Sequence, residues 1–335
     1  MRWLAVPALL LALFGARPAV AVDQADRLAA FRERYVNWTT ATPAPLAQQL
    51  ADKFIQATGM KLTVTHQDND DALRRAIEEQ QGHKGDIDVI TLAGAGAAIA
   101  LARKGLLAPF RPDGFDEMID GAKDKDGRWI AQRVQLIGVP VRTDLLPDGA
   151  RPNTWSDLAD PKYKGRMVMV DPQSNAIALA VIATLAQRLG WEFVKALRAN
   201  DTLVVASHAQ LFKLMQQGER ALGLGGLDPR DFNDGRTPPN QAMILPADGA
   251  LAIVAPVAVL KSAKNPNAAR LFAQFMVSSV AQRIVAANAI YAARADIAPP
   301  AGQPALGDIR LMPIDFERVE RDTADIKARF GEIFR

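Results

Sequence analysis

Cysteine is absent from the 335 residues, which excludes disulfides, thiolate metal sites and cysteine nucleophiles. Tyrosine is scarce: Tyr35, Tyr163 and Tyr291 are the only three, and no two are adjacent. The three histidines, His66, His83 and His208, are far apart and lack metal-ligand spacing. Gly-x-Ser-x-Gly, His-Glu-x-x-His and the Lys-bearing phosphate loop are all missing, and the carboxylates are scattered. Asp86 and Asp88 merely alternate around a strand start. No catalytic constellation emerges. After Phe14 no apolar run is long enough to span a bilayer. Charge excess is missing too: 40 basic residues face 37 acidic ones, which gives nucleic acid no basic surface.

The N-terminus carries a secretory pattern. Arg2 supplies the positive start, Trp3 to Phe14 the apolar run, and Gly15-Ala16-Arg17-Pro18 its break. Ala19-Val20-Ala21 is a small-x-small cleavage site, so residues 1–21 are expected to be a signal peptide. Cleavage there removes Arg2 and Arg17 and lowers the formal charge of +3 by two. No cysteine stands at the cut for lipidation. The expectation is a freely diffusing periplasmic protein, and 335 residues suffice for two domains.

Strand and helix patterns then alternate. Residues 22–34 read as a polar lead-in. Tyr35 to Thr40 is a strand, and Thr42-Pro43-Ala44-Pro45 opens a helix with Leu46, Leu50 and Phe54 on one face, closed by Gly59. Lys61 to His66 is a strand, Asp70 to Gln80 a helix, and Asp86 to Leu92 a strand. Gly94-Ala95-Gly96 leads into a small-residue helix. Threefold repetition of this kind predicts a parallel sheet covered on both faces. Pro152 to Ala176 organises the second half of the chain. Thr154 to Asp157 has the capping-box form, Arg166 to Val170 is an interior strand, and Ser174-Asn175 cap an apolar helix to Leu189. Strand ends that feed capped helix starts are where open α/β sheets bind ligands.

TWSDLADPKYKGRMVMVDP resembles a segment of periplasmic solute-binding proteins of ABC importers, in the branch with ferric-ion, phosphonate, sugar-phosphate and thiamine binders. FIQATGMKLTV, DIDVIT and KGLLAPF resemble that branch's first lobe, and SAKNPNAARLFAQFMVSSVAQ its return helix. The resemblance implies an α/β, two-lobe periplasmic-binding-protein (type II) fold. Each lobe would be a mostly parallel sheet flanked by helices, joined by hinge strands. Lobe 1 is then 22–137 plus 250–292, and lobe 2 is 138–249 plus 293–335. DGRWIAQRVQLIGVPVRTDLLP is the implied hinge crossing. Val141-Arg142 stands where the branch has a Tyr-Asn pair. The implied partners are a small-molecule ligand, an ABC permease and its ATPase. Neither a cofactor nor nucleic acid is implied, and the expected state is a monomer.

The expected site lies between the lobes. Its ligand-binding residues are Thr40, Thr42, Thr91, Arg142, Ser174, Asn175, Ser207, His208 and Asp228, with Arg230 a second guanidinium. Hydroxyls and free N–H groups suit an oxyanion such as a phosphonate, sugar phosphate or carboxylate. Each residue has a plainer reading: Ser and Asn at helix starts are ordinary caps, and a lone Arg is ordinarily a surface charge. Ferric binders of the branch use adjacent tyrosines, and ALGLGGLDPRDF, the matching region, has none. No metal site is therefore expected, although an anion bridging a metal to fewer protein ligands stays open. A ferric-iron-binding protein of an ABC importer, a sensor for a receptor kinase and a periplasmic enzyme on the same scaffold are the alternatives.

Overall fold

The computed structural model describes residues 24–82, 85–232, 236 and 238–335. The expected signal peptide lies outside them. The first half runs α1 (Gln24–Glu33), β1 (Tyr35–Thr40), α2 (Ala44–Thr58), β2 (Lys61–His66), α3 (Asn69–Gly82), β3 (Val89–Thr91), α4 (Ala95–Arg103) and β4 (Leu107–Ala108). Two strands then cross to the second half, β5 (Ile130–Ile137) and β6 (Val139–Arg142). That half holds β7 (Met167–Val170), α5 (Ala176–Leu189), α6 (Trp191–Ala199), β8 (Leu203–Val205), α7 (His208–Gln216), β9 (Leu222–Leu224) and β10 (Gln241–Ile244). β11 (Ala250–Leu260) returns, followed by α8 (Pro266–Met276), α9 (Ser279–Ala287), β12 (Tyr291–Ala292), β13 (Leu311–Met312), α10 (Phe316–Arg321) and α11 (Thr323–Phe334).

Local chemistry sets many of these boundaries. Proline in the first turn starts α2, and Gly59 ends it in the left-handed region at φ 67°. Asn175 caps α5 by accepting from Ala178 N, and Ser207 caps α7 by accepting from Gln210 N. Thr154 and Asp157 exchange bonds as the capping-box pattern expects: Asp157 Oδ2 accepts from Thr154 N at 2.9 Å and Thr154 Oγ1 from Asp157 N at 3.3 Å. The helix they open is a single 3-10 turn, Ser156–Ala159.

The strands form two sheets, ordered β12-β5-β11-β3-β1-β2 and β10-β6-β9-β7-β8, with β4 and β13 also pairing β11. β1 runs parallel to β2 and β3, as the alternation predicts. The returning β11 is antiparallel to β3 and β5, so the first sheet is mixed. In the second sheet β7, β8 and β9 are parallel and β6 and β10 antiparallel.

Two separate apolar cores sit on these sheets. One gathers Trp38, Phe54 and Phe272, with ring centroids 4.9 Å apart for Phe54–Phe272 and 5.2 Å for Trp38–Phe272. The other gathers Trp155, Tyr163 and Phe212. The chain passes between them on β5, where Leu136 belongs to the first core and Ile137 to the second. It returns on β11, where Ile253 belongs to the second and Val254 to the first. Beside the crossing, Gly138 and Gly226 exchange two backbone bonds of 3.1 Å. A Cβ on Gly226 would stand 2.6 Å from Pro140 Cγ, so this close approach requires glycine.

Residues 24–33 depart from the expected lead-in by forming α1. The reason is tertiary. Glu33 at its end accepts from Ala268 N at 2.7 Å and Asn267 Nδ2 at 2.6 Å, capping the start of α8. The C-terminal helices also form a unit that local patterns do not disclose. α11 packs on α5 and α6, while α10 touches both α4 of the first half and α5 of the second.

Candidate functional site

The strand ends converge as their register requires. Thr40 at the end of β1 is level with His66 on β2 and Thr91 on β3, while Val170 of β7 is level with Val205 of β8. The loops leaving these ends face one another across a cleft of about 770 Å³. Thr40, Ala41, Thr42 and Ala93 line it from the first sheet; Ser174, Asn175, Ala176, Ala206 and Ser207 line it from the second. The structure thus brings together five expected residues: Thr40, Thr42, Ser174, Asn175 and Ser207.

Their hydroxyls are not equivalent. Thr40 Oγ1 donates to Thr42 Oγ1 at 2.8 Å and accepts from Thr42 N at 3.0 Å. Thr42 Oγ1 donates to Gln132 Oε1 at 3.0 Å and accepts from Arg133 Nη1 at 3.2 Å. These two threonines build the loop and have little hydrogen-bonding capacity left for a ligand. Ser174, by contrast, has no side-chain bond among the described residues. The Asn175 cap satisfies Ala178 N and leaves the Ala176 and Ile177 amides without intrahelical acceptors. Ser207 Oγ accepts from Gln210 N and keeps its own proton to donate. Oriented N–H groups at the starts of α5 and α7, with the positive helix ends behind them, suit an anionic group.

The four other expected residues are engaged elsewhere. Thr91 is fully buried, and its Oγ1 accepts from Trp38 Nε1 at 2.9 Å. Arg142 pairs with Asp144 through contacts of 2.8 and 2.7 Å and donates to the Met215 and Gln216 carbonyls at the end of α7. A guanidinium at a helix C-terminus satisfies orphan carbonyls and the negative dipole end. It also holds the Asp144 carboxyl down at about 2. His208 turns inward and is only 6% exposed. Burial pulls its pKa down to about 4, with the Gly225 carbonyl acting weakly in the other direction. Asp228 forms a two-point ion pair with Arg230 at 2.7 and 2.9 Å, and Arg230 also reaches the Ala301 carbonyl. Asp248 and Gly249 are likewise engaged, Asp248 Oδ1 accepting from Trp155 N at 3.2 Å and the Gly249 carbonyl from Trp155 Nε1 at 2.8 Å.

The loop between β2 and α3 joins the cleft unforeseen. His66, Gln67, Asp68, Asn69, Asp70 and Asp71 all line it. The signal was present, since this loop too leaves the C-terminal end of a parallel strand and leads into a helix, just as those after β1 and β3 do. Asp70 and Asp71 occupy the first turn of α3, where the helix dipole favours them, and Asp71 also pairs with Arg74 at 2.9 Å. Among the described lining residues there are three carboxylates and no Lys or Arg. The cleft is therefore two-faced, with N–H donors from the second sheet opposite acceptors from the first.

The donor set does not resemble a ferric site. Tyr35 OH donates to Asn37, Tyr163 OH to the Ala150 carbonyl and Tyr291 OH to the Pro304 carbonyl. Among the described residues no three His, Asp or Glu side chains cluster as a metal site.

A family model described as bacterial extracellular solute-binding protein matches residues 36–288. Iron uptake protein A1 of Synechocystis sp. is 24% identical over 265 residues, 72% of this chain and 70% of that protein. The chain spans 66% to 73% of the length of three curated relatives that it matches. Iron-bound HitA from Pseudomonas aeruginosa shares the fold with a TM-score of 0.77 at 20% identity, covering 89% of this chain and 99% of that one. AfuA from Actinobacillus pleuropneumoniae, with fructose-6-phosphate bound, gives 0.77 at 21% identity, covering 90% and 98%.

Proposed function

The chain belongs to the bacterial extracellular solute-binding protein family, a fold of binding proteins that serve ABC importers, and on that premise we propose that it captures a small organic anion. The anionic head takes the N–H groups of α5 and α7 and the Ser174 hydroxyl. The body carries hydroxyl or amino donors that face Asp68, Asp70 and Asp71. A phosphonate, sugar phosphate or carboxylate with such donors fits; a bare polyanion would face three carboxylates. The observation that carries this reading is the two-faced cleft itself.

The lobes part near residues 136–137 and 253–254 and close on the solute by rotation about β5, β6 and β11. Closure presents a surface to the permease, and binding energy is spent on shifting the open–closed balance. The site of action is the periplasm.

Iron is the second reading, because the HitA structure is described as iron-bound and iron uptake protein A1 carries the metal in its name. The tied-off tyrosines oppose it here, since hard, basic phenolate ligands are what such a cation needs. A thermal-shift screen over phosphonates, sugar phosphates, carboxylates and their amino-bearing analogues, with ferric citrate included, separates the two. A bound organic anion raises the melting temperature by mass action. Stabilisation by ferric citrate alone overturns the reading.

A further inference from the structure

Beside the cleft lies a second cavity of about 260 Å³. Asn69, Asp70 and Ala176 line both, so the two spaces adjoin. Their chemistry differs. Ala97 and Ala100 of α4 lie three residues apart on one helix face and form one wall. Leu179 and Ala180 of α5 form another, and Ile253 of the returning strand β11 joins them. Phe316 and Val319 of α10, again three apart, add a further wall. Arg103 of α4 ion-pairs with Glu317 and Glu320 of α10, which ties that wall to the first lobe. Packing of α10 on α5 ties it to the second.

We infer that the solute carries an apolar arm, one ring or a short alkyl chain, seated in this cavity while its anionic head occupies the cleft. The inference rests on the reading of the cleft as a solute site. Protein interiors leave few voids larger than a water, yet the alanines on the facing helices are too short to fill this one. The space equals roughly eight waters at about 30 Å³ each, and a buried water needs about three hydrogen-bond partners. The apolar walls give water no side-chain partner; the polar part of the lining is Asn69, Asp70, Glu320, Thr323 and Lys327. Hydrocarbon is the better occupant. Size sets the class: an apolar cavity of about 150 Å³ holds benzene, so this one takes a ring with a few further carbons. Both lobes and α10 supply walls, so the arm also rewards the arrangement in which they meet.

The test is calorimetric titration with two matched pairs that keep an amino donor, aminomethylphosphonate against 1-amino-2-phenylethylphosphonate and glycine against phenylalanine. The arylated member of at least one pair should bind about tenfold or more tightly than its small partner. Ala97→Leu and, separately, Ala100→Phe fill the cavity from one wall. Either should abolish that advantage and leave the small partner's affinity within about twofold; near-UV circular dichroism identifies the variants that are folded. Equal affinities within both pairs overturn the inference and leave the cleft reading standing. So does an advantage that survives filling. If no member of either pair binds and the wider screen finds no anion, the cleft reading fails and takes the inference with it.

Discussion

His208 is the residue whose two readings part most sharply under acid. As a cleft ligand it would stand in solvent and titrate near its ordinary value. Its observed place is the second core, 6% exposed, with the pKa lowered from 6.5 to about 4. The folded value is depressed below the unfolded one, so the unfolded chain takes up this proton first as pH falls. Stability from the neutral imidazole is therefore complete above about pH 6.5 and drains away down to about pH 4. At about 1.4 kcal/mol per pH unit the loss approaches 3 kcal/mol, order of magnitude. Urea unfolding at half-unit steps from pH 7.5 to 4, followed by tryptophan fluorescence, measures it. Carboxylates titrate at the acid end as well, so the comparison is with His208→Gln, which keeps a donor for the Gly225 carbonyl but has no proton to gain. The wild type should lose about 3 kcal/mol more than the variant across that window. Parallel curves for the two proteins refute the buried-imidazole account.

Other perturbations draw on the same geometry. Arg142→Ala should cost about 2 kcal/mol in chemical denaturation, because charged hydrogen bonds to the end of α7 are lost, and should leave solute affinity unchanged. Arg142→Lys should recover little of it, since the two-point pairing with Asp144 needs a planar fork. Phe272→Ala removes the ring wedged between Trp38 and Phe54 and should cost about 4 kcal/mol, read by the same unfolding assay. Gly225→Ala meets two penalties, φ of +64° and a Cβ 2.7 Å from Val181 Cγ1, and should lower stability by about 2 kcal/mol. Ser174→Ala should weaken the best anion from the screen about tenfold by calorimetry, with the unfolding midpoint unmoved, because its hydroxyl supports nothing else.

What could be read from the sequence was local. Gly59, Asn175 and Ser207 mark helix ends because a cap is made within four residues, and the strand ends at Thr40 and Val170 follow from alternation and burial. That was enough to bring five expected residues to one cleft. Arg142 was not legible in this way. Its partners on α7 are more than seventy residues away and reach it only because β9 lays that helix against β6. Thr91 and His208 stand at strand and helix ends as the rule expects, but side-chain direction decides their fate, and both point into cores. The run from His66 to Asp71 obeys the same strand-end rule and belonged with the others. The acid face of the cleft follows from that run. The α10 wall does not, because it depends on where a C-terminal helix settles across two lobes.

Lobe closure around a solute is the claim on which the account depends, and the lack of cysteine makes it directly measurable. Gln56→Cys on α2 and Lys195→Cys on α6 place spin labels on exposed sites of the two halves. The inter-label distance distribution is recorded before and after addition of a stabilising anion. The account predicts a shift to a new, narrower distance with the anion, and a much smaller shifted fraction in Ser174→Ala at a concentration near the wild-type Kd. A solute that raises the melting temperature of both proteins alike and leaves the distance where it was contradicts it.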